Sequence, residues 1–540
     1  MSAATEQAGG ERDSADLAQF GYKQELRRGL GTFSSFAVAF SYISPSTGIF
    51  TLYFLGLVTL GGAFIWTWPV VALGQFIIAL NFAEVSSHYP IAGSVFQWTK
   101  YLAGRTYAWF SGWIYLFAGI LTVTAVVATI PLALIPAING LPTLFGAKVW
   151  NLPTTLNANL VVALITLVVI TVLNIYGVRL VAIINNTGVL FEILGMFVFA
   201  LVLALFHNHS GVHVITNSAG VHVTPSVFLG AMFMSLFVIY GFDTASTLAE
   251  ETRDPRRAAP KAILFAVVGA FIIGGVFLLG TLMAIPNLGS AVKNAWGPVQ
   301  IIQANFSPAL STVYLLVVSA AIFVCCLSIL AATIRLCFGM ARDNQLPFSK
   351  PMARVAPSLH TPVWTCIVVA ALSAIPFIQF SGAGTIATAA TAMIYLSYFV
   401  ANSAILRARM RGWPKTDAPF KLRRWGLVVN VLGLIYGGAM IVNFAWPPAA
   451  GPNATGPRLV SNPRPDQTVV GGTQLLNFHI GFLNKIPILW TVFVFIVLIG
   501  VIYYLAVARR KEFAPVIAPA GDDAPLVSAA PPGPAAPPEE

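Results

Sequence analysis

Apolar runs of a helix's membrane-crossing length, divided by short polar segments, fill most of the chain. They cover residues 32–60, 62–83, 107–131, 160–176, 183–206, 228–249, 262–284, 312–336, 363–380, 385–406, 427–444 and 487–507. A helix needs about 20 predominantly apolar residues to cross the hydrocarbon core. Runs of that length predict helices rather than a barrel. The expectation is an all-α integral membrane protein with about twelve transmembrane helices. The polar segments divide it into a cytoplasmic N-terminal tail (1–28), helices 1–5 (29–206), an outer loop (207–227), helices 6–10 (228–411), and helices 11–12 (412–510). A long Pro/Gly-rich outer loop at 446–483 lies within the last of these. Residues 1 to about 20, and a Pro/Ala-rich tail over 511–540, have the composition of disordered extensions.

Two of the runs are interrupted. In the first, SPSTG at 44–48 brings in Pro45, which removes a backbone donor, and Gly48, which relaxes the backbone. In the sixth, Gly241 and Asp243 break an otherwise apolar segment that leads into the charged stretch 250–261. Unpaired backbone groups at membrane depth are tolerated only where they line a cavity or bind something. A carboxylate there costs roughly 2.5–3.5 kcal/mol on insertion scales, which marks Asp243 as functional. The two interrupted runs each open a block of five helices. Broken segments at corresponding positions of two halves point to an inverted-repeat transporter with its site at the midplane. A half-helix starting after Gly48 would aim N–H groups and a positive dipole end at a carboxylate. Carbonyls near Ile239 and Tyr240 would suit an ammonium, and Phe237 could cover the bound molecule or offer a cation–π face.

Composition and charge fit this picture. Hydrophobic residues make up 57% of 540 and charged residues 9%, against about 25% charged in a soluble domain. The net charge of +11 is no nucleic-acid signal, because the basic residues sit in short loops between apolar runs. With both termini inside, 25 of the 30 lysines and arginines face the cytoplasm, as the positive-inside rule requires. The polar, charged N-terminus predicts no cleaved signal peptide. Cys325, Cys326, Cys337 and Cys366 lie in or beside apolar runs without metal-ligand spacing, so neither a disulfide framework nor a metal site is expected. His207, His209, His213 and His222 cluster in the outer loop, where GVHV occurs twice. The repeat suggests two short extended segments of a solvated loop.

Five ordered motifs carry a family resemblance: SPSTGIF (44–50), AEVSSHYPIAGSVFQWTKYLAG (83–104), NIYGVR (174–179), YGFDTASTLAEETRDPRRAAPKAI (240–263) and RLCFGMARDNQLP (335–347). Over about residues 21–510 the chain resembles the amino acid–polyamine–organocation superfamily, closest to its amino acid/choline branch, which includes GABA and choline permeases. The resemblance implies a LeuT-type fold: a five-plus-five inverted repeat with discontinuous helices 1 and 6, plus two helices. It also implies substrate held by Ser44, Ser46, Thr47, Gly48 and Ile49, with Phe237, Tyr240 and Gly241 opposite. Asp243 falls where relatives often carry a glutamate linked to proton sensing. Two departures stand out. Relatives often have glycine where Ser46 stands, which narrows the carboxylate cradle. Many also carry a lysine close to the position of Glu192, so the charge here is reversed. Glu192 is therefore a candidate proton carrier, sodium ligand or purely structural acid. Ser328 is a candidate for half of a sodium site. Glu84, Glu250 and Glu251 lie at cytoplasmic helix ends and are expected to form an inner gate of ion pairs with Arg253, Arg256, Arg335 or Arg342.

The reading is a multi-pass transporter of the cytoplasmic membrane. It moves an amino acid or related small amine by alternating access and is coupled to protons. It needs no cofactor, performs no covalent chemistry and engages the lipid bilayer rather than nucleic acid. A sodium symporter or exchanger, and a non-transporting nutrient sensor on the same fold, stand as alternatives.

Overall fold

The computed structural model describes residues 10, 13–26, 28–153, 155–379, 383–445 and 488–511. The outer loop 446–483 and the tail beyond 511 lie outside them. The helices that frame the site and the crossings are α1 (Thr32–Ile43), α2 (Pro45–Leu60), α3 (Thr67–His88), α4 (Ser94–Ala103), α5 (Arg105–Val127), α6 (Leu156–Ile175), α7 (Val178–Phe206), α8 (Pro225–Val238), α9 (Thr244–Thr247), α10 (Pro255–Met283), α11 (Pro308–Arg342), α12 (Val363–Ala374), α13 (Ala383–Arg409), α14 (Gly426–Ala445) and α15 (Ile488–Ala506), with shorter helices at Ile130–Gly140, Leu288–Lys293, Pro298–Asn305 and Ser349–Met352 between them. Among the described residues, nine helical stretches are long and apolar enough to cross a bilayer. The first, Thr32–His88, holds two crossings, and the shorter Pro225–Val238 and Val363–Ile378 complete the expected twelve. Helices α2 and α11 are largely buried, whereas α6 and α7 turn exposed Val, Leu and Phe side chains outward. That is the distribution expected of an inner core ringed by lipid-facing helices.

Both interruptions are real, but the first differs from expectation. The half-helix does not start after Gly48. It starts at Pro45, so that only Ser44 (φ 35°, ψ 86°) separates α1 from α2. Proline suits the first helical position, where its missing N–H would be unpaired anyway. The Ser44 hydroxyl accepts from the Thr47 N–H as an N-cap. Gly48 lies inside α2 because the two half-helices cross there: a Cβ on it would stand 2.5 Å from Val238 Cγ2. The second break is longer. Helix α8 ends at Val238, and the chain resumes helical form at Thr244 after Gly241 at φ +86°. A Cβ on Gly241 would sit 1.9 Å from the Tyr42 ring, so glycine is required on both counts.

Two further expectations change. Residues 13–18 are helical, and Leu17 and Phe20 are buried. Phe20 packs edge-on against Tyr89 and Tyr101, so this part of the tail is held by an aromatic anchor rather than disordered. In the outer loop, Val212–Thr216 is a short 3-10 helix and not an extended segment. His209 Nε2 lies 2.9 Å from Asn305 Oδ1 and His207 stands edge-on to Phe306.

Candidate functional site

Each break centres on a buried carboxylate from the interior of the membrane-spanning bundle. At the first, Glu192 on α7 reaches the start of α2. Its Oε1 accepts from Ser44 Oγ at 2.7 Å, Ser46 Oγ at 2.7 Å and Ser46 N–H at 3.2 Å. This is the anion position of a helix N-terminus, filled by the protein's own side chain. Ser46 in place of glycine therefore does chemical service: its hydroxyl is one of the donors.

At the second break, Asp243 does not cap α9 with its side chain. Its carboxylate instead collects three hydroxyls from outside its own helix. Ser94 Oγ on α4 donates at 2.9 Å, Tyr398 OH on α13 at 2.5 Å, and Tyr115 OH on α5 donates to the same group. Tyr398 also accepts from the Gly241 N–H at 2.9 Å. One carboxylate thus ties the sixth crossing to the third and the tenth.

Asp13, Glu84, Glu250, Glu251 and Asp343 are buried and each meets a basic side chain. Glu192 and Asp243 differ: among the described residues their partners are hydroxyl and N–H groups alone. An uncompensated buried charge is expensive, and such groups in membrane spans mark pathways for ions, protons or substrates.

Of the ion pairs expected at these helix ends, those of Glu250 and Glu251 form with the expected arginines and that of Glu84 forms with another. Arg335 grips Glu251 through Nη2–Oε1 at 3.0 Å and Nε–Oε2 at 3.3 Å. Arg342 grips Glu250 at 2.7 and 2.9 Å. Glu84 pairs with Arg409 of α13 and accepts from the Leu422 N–H, so it joins other helices than expected. Arg256 pairs with Asp16 at 3.5 Å, and the Arg253 main chain donates to Leu30 O at 2.9 Å. A further pair was not foreseen: Lys100 Nζ meets Asp343 at 2.7 Å, and Tyr22 OH donates to the same carboxylate at 2.8 Å. The N-terminal segment is tied to the same region. Gly29 and Leu30 N–H groups donate to Glu251 O, and Arg28 donates to Thr252 O at 2.7 Å.

Ile49, Phe237 and Tyr240 are buried at the crossing of the two breaks, with Phe237 edge-on to Tyr240 and Tyr240 edge-on to Tyr42. The Ser328 hydroxyl on α11 donates to Asn185 Oδ1 on α7 at 3.1 Å. Cys325 on α11 reaches the carbonyl end of α1, where its thiol donates to Tyr42 O. All four cysteines are buried and free.

A sequence profile of the family described as "Amino acid permease" matches residues 30–461. The chain is 28% identical over 464 residues to the amino-acid permease BAT1 of Arabidopsis thaliana, covering 80% of this chain and 88% of that one. It is 27% identical to the branched-chain amino acid permease BcaP of Bacillus subtilis, over 78% and 90% of the two chains. It is 26% identical to the GABA-specific permease of Saccharomyces cerevisiae, over 66% and 64%.

Proposed function

The chain belongs to the amino acid permease family, and from that premise we propose that it is a proton-coupled secondary transporter of an amino acid or a GABA-like amine, working by alternating access. The single observation that carries the coupling is the pair Glu192 and Asp243. Both are buried, Glu192 reaches the first break and Asp243 lies in the second, and among the described residues neither meets a basic side chain. A proton is the simplest charge that can neutralise either during a cycle. Sodium is less suited, because α11 brings the Cys325 thiol to the carbonyl end of α1, a soft group ill matched to a hard cation. The substrate lies between Ser44–Ile49 and Phe237–Gly241, as substrate lies at discontinuous helices in inverted-repeat transporters. The ion pairs of Glu84, Glu250, Glu251 and Asp343 close the cytoplasmic face in this conformation and separate in the inward-open one. Both termini lie in the cytoplasm, in keeping with the basic loops.

Uptake into proteoliposomes, with a pH or a Na⁺ gradient imposed, tests the reading against α-amino acids, GABA, choline and polyamines. Accumulation of one class driven by the pH gradient alone supports it. Accumulation that needs Na⁺ and ignores pH overturns the coupling, and ligand binding without any flux overturns transport.

A further inference from the structure

The first break is already occupied. Pro45 has no N–H, the Ser46 N–H goes to Glu192 Oε1, the Thr47 N–H to Ser44 Oγ, and the Gly48 N–H to Ser44 O. Both hydroxyls that flank Pro45 also point to Glu192. No donor of the first turn of α2 is left over. A substrate carboxylate that used this helix start would need the same donors, and two adjacent carboxylates resist sharing one site.

We infer that Glu192 is a resident occupant of the substrate-carboxylate site, so that a zwitterionic substrate binds there only once Glu192 has taken up a proton and turned out of the cradle. The inference rests on the transport reading for its physiological meaning and deepens it: proton and substrate enter together because the proton removes the competitor. The proton comes from water and ends on a Glu192 oxygen, and no covalent bond of the substrate changes. A neutral carboxylic acid is a weaker acceptor than a carboxylate for the Ser46 N–H, so the substrate's own carboxylate then wins the position. Around Glu192, the titratable neighbours on α11 are Cys325 and Tyr314, and α1 brings Tyr42. Helix α6 carries no titratable side chain, while the charges of α7 and α10 (Arg179, Arg256, Arg257 and Lys261) stand near the starts of those helices. None of these supplies a cation to Glu192 at the break, so a proton is left to do so.

The test is equilibrium binding of GABA and of L-leucine to the purified full-length protein between about pH 5.5 and about pH 8. Neither probe changes its own net charge over that range. Wild-type affinity for at least one probe should rise by up to about tenfold per unit fall in pH while Glu192 is ionised. Glu192→Gln should bind with an affinity that no longer follows pH, and Glu192→Ala, which vacates the cradle, should bind at neutral pH more tightly than wild type. The inference is overturned if wild-type affinity weakens as pH falls, or if Glu192→Gln and Glu192→Ala both lose binding. Glu192 would then hold the substrate's ammonium instead. It is also overturned if neither probe binds any of the three proteins. Should a variant unfold, the sign of the wild-type pH dependence still decides. Binding with the expected pH dependence but without flux leaves this inference standing and refutes transport alone.

Discussion

Replacing Arg335 by methionine removes one arm of an ion pair whose two side chains are each only 1% exposed. Glu251 would lose two charge-assisted hydrogen bonds, at 3.0 and 3.3 Å, and keep a buried charge. Removing one partner of a buried pair costs about 3–5 kcal/mol, whereas replacing both partners by apolar residues is often neutral or stabilising. The pair holds the C-terminal end of α11 to the segment after α9, and Glu251 O also anchors Gly29 and Leu30. Its loss should therefore weigh on the closed conformation that the proposed transport cycle assigns to this arrangement. At 1.4 kcal/mol per factor of ten, the closed state should lose about two to three and a half orders of magnitude in relative population. The buried cysteines make unfolding readable with a fluorogenic maleimide, because Cys325, Cys326, Cys337 and Cys366 react only once exposed. Arg335→Met should unfold at lower temperature than wild type, and Glu251→Leu combined with Arg335→Met should recover most of the loss. A single-variant cost below about 1 kcal/mol, or a double variant no better than the single, would refute the account of the pair as a buried latch.

Asp243→Asn keeps the size of the side chain but leaves a hydroxyl of Ser94, Tyr115 or Tyr398 without an acceptor. With charge-assisted bonds contributing about 1.5–3 kcal/mol each, uptake should fall at least about tenfold and its pH dependence should change, while an unaltered pH–rate profile would remove Asp243 from coupling. Gly48→Val places a branched side chain where a Cβ alone is 2.5 Å from Val238 Cγ2. Overpacking of that kind costs typically 1–3 kcal/mol, so a thermal-unfolding curve should shift down, and an unshifted curve would mean that α2 and α8 part easily. Phe20→Ala removes the anchor between Tyr89 and Tyr101, and limited proteolysis should then cut the 13–30 segment faster than in wild type.

The twelve crossings are legible in the sequence because hydrophobic length is a local property, and twelve runs of membrane-crossing length say most of what the fold is. The positions of both breaks were legible for the same reason. The exact start of the second half-helix was not: SPSTG reads as unwound by its Pro and Gly, yet Pro45 is at home in a first turn and Gly48 answers to Val238, a contact 190 positions away. Glu192 stood out as an ionisable residue in an apolar helix, but its partner Ser44 lies 148 positions earlier, and nothing local joins them. The hydroxyls around Asp243 were missed because tyrosine in an apolar helix looks like packing. Ser94 had a signal, since it sits inside the quoted 83–104 motif. The ion pairs were legible as a population of charges at helix ends, but the choice of Arg409 for Glu84 depends on how the second crossing's neighbours are arranged.

The central claim is that substrate and proton cross together. Its most direct test is a substrate jump on proteoliposomes loaded with a pH-sensitive dye, without Na⁺ and without an imposed pH gradient. Adding a transported amino acid outside should acidify the lumen as the substrate enters, and a protonophore should abolish the change. Substrate entry with no movement of lumenal pH, or entry only when Na⁺ is supplied, would contradict the account.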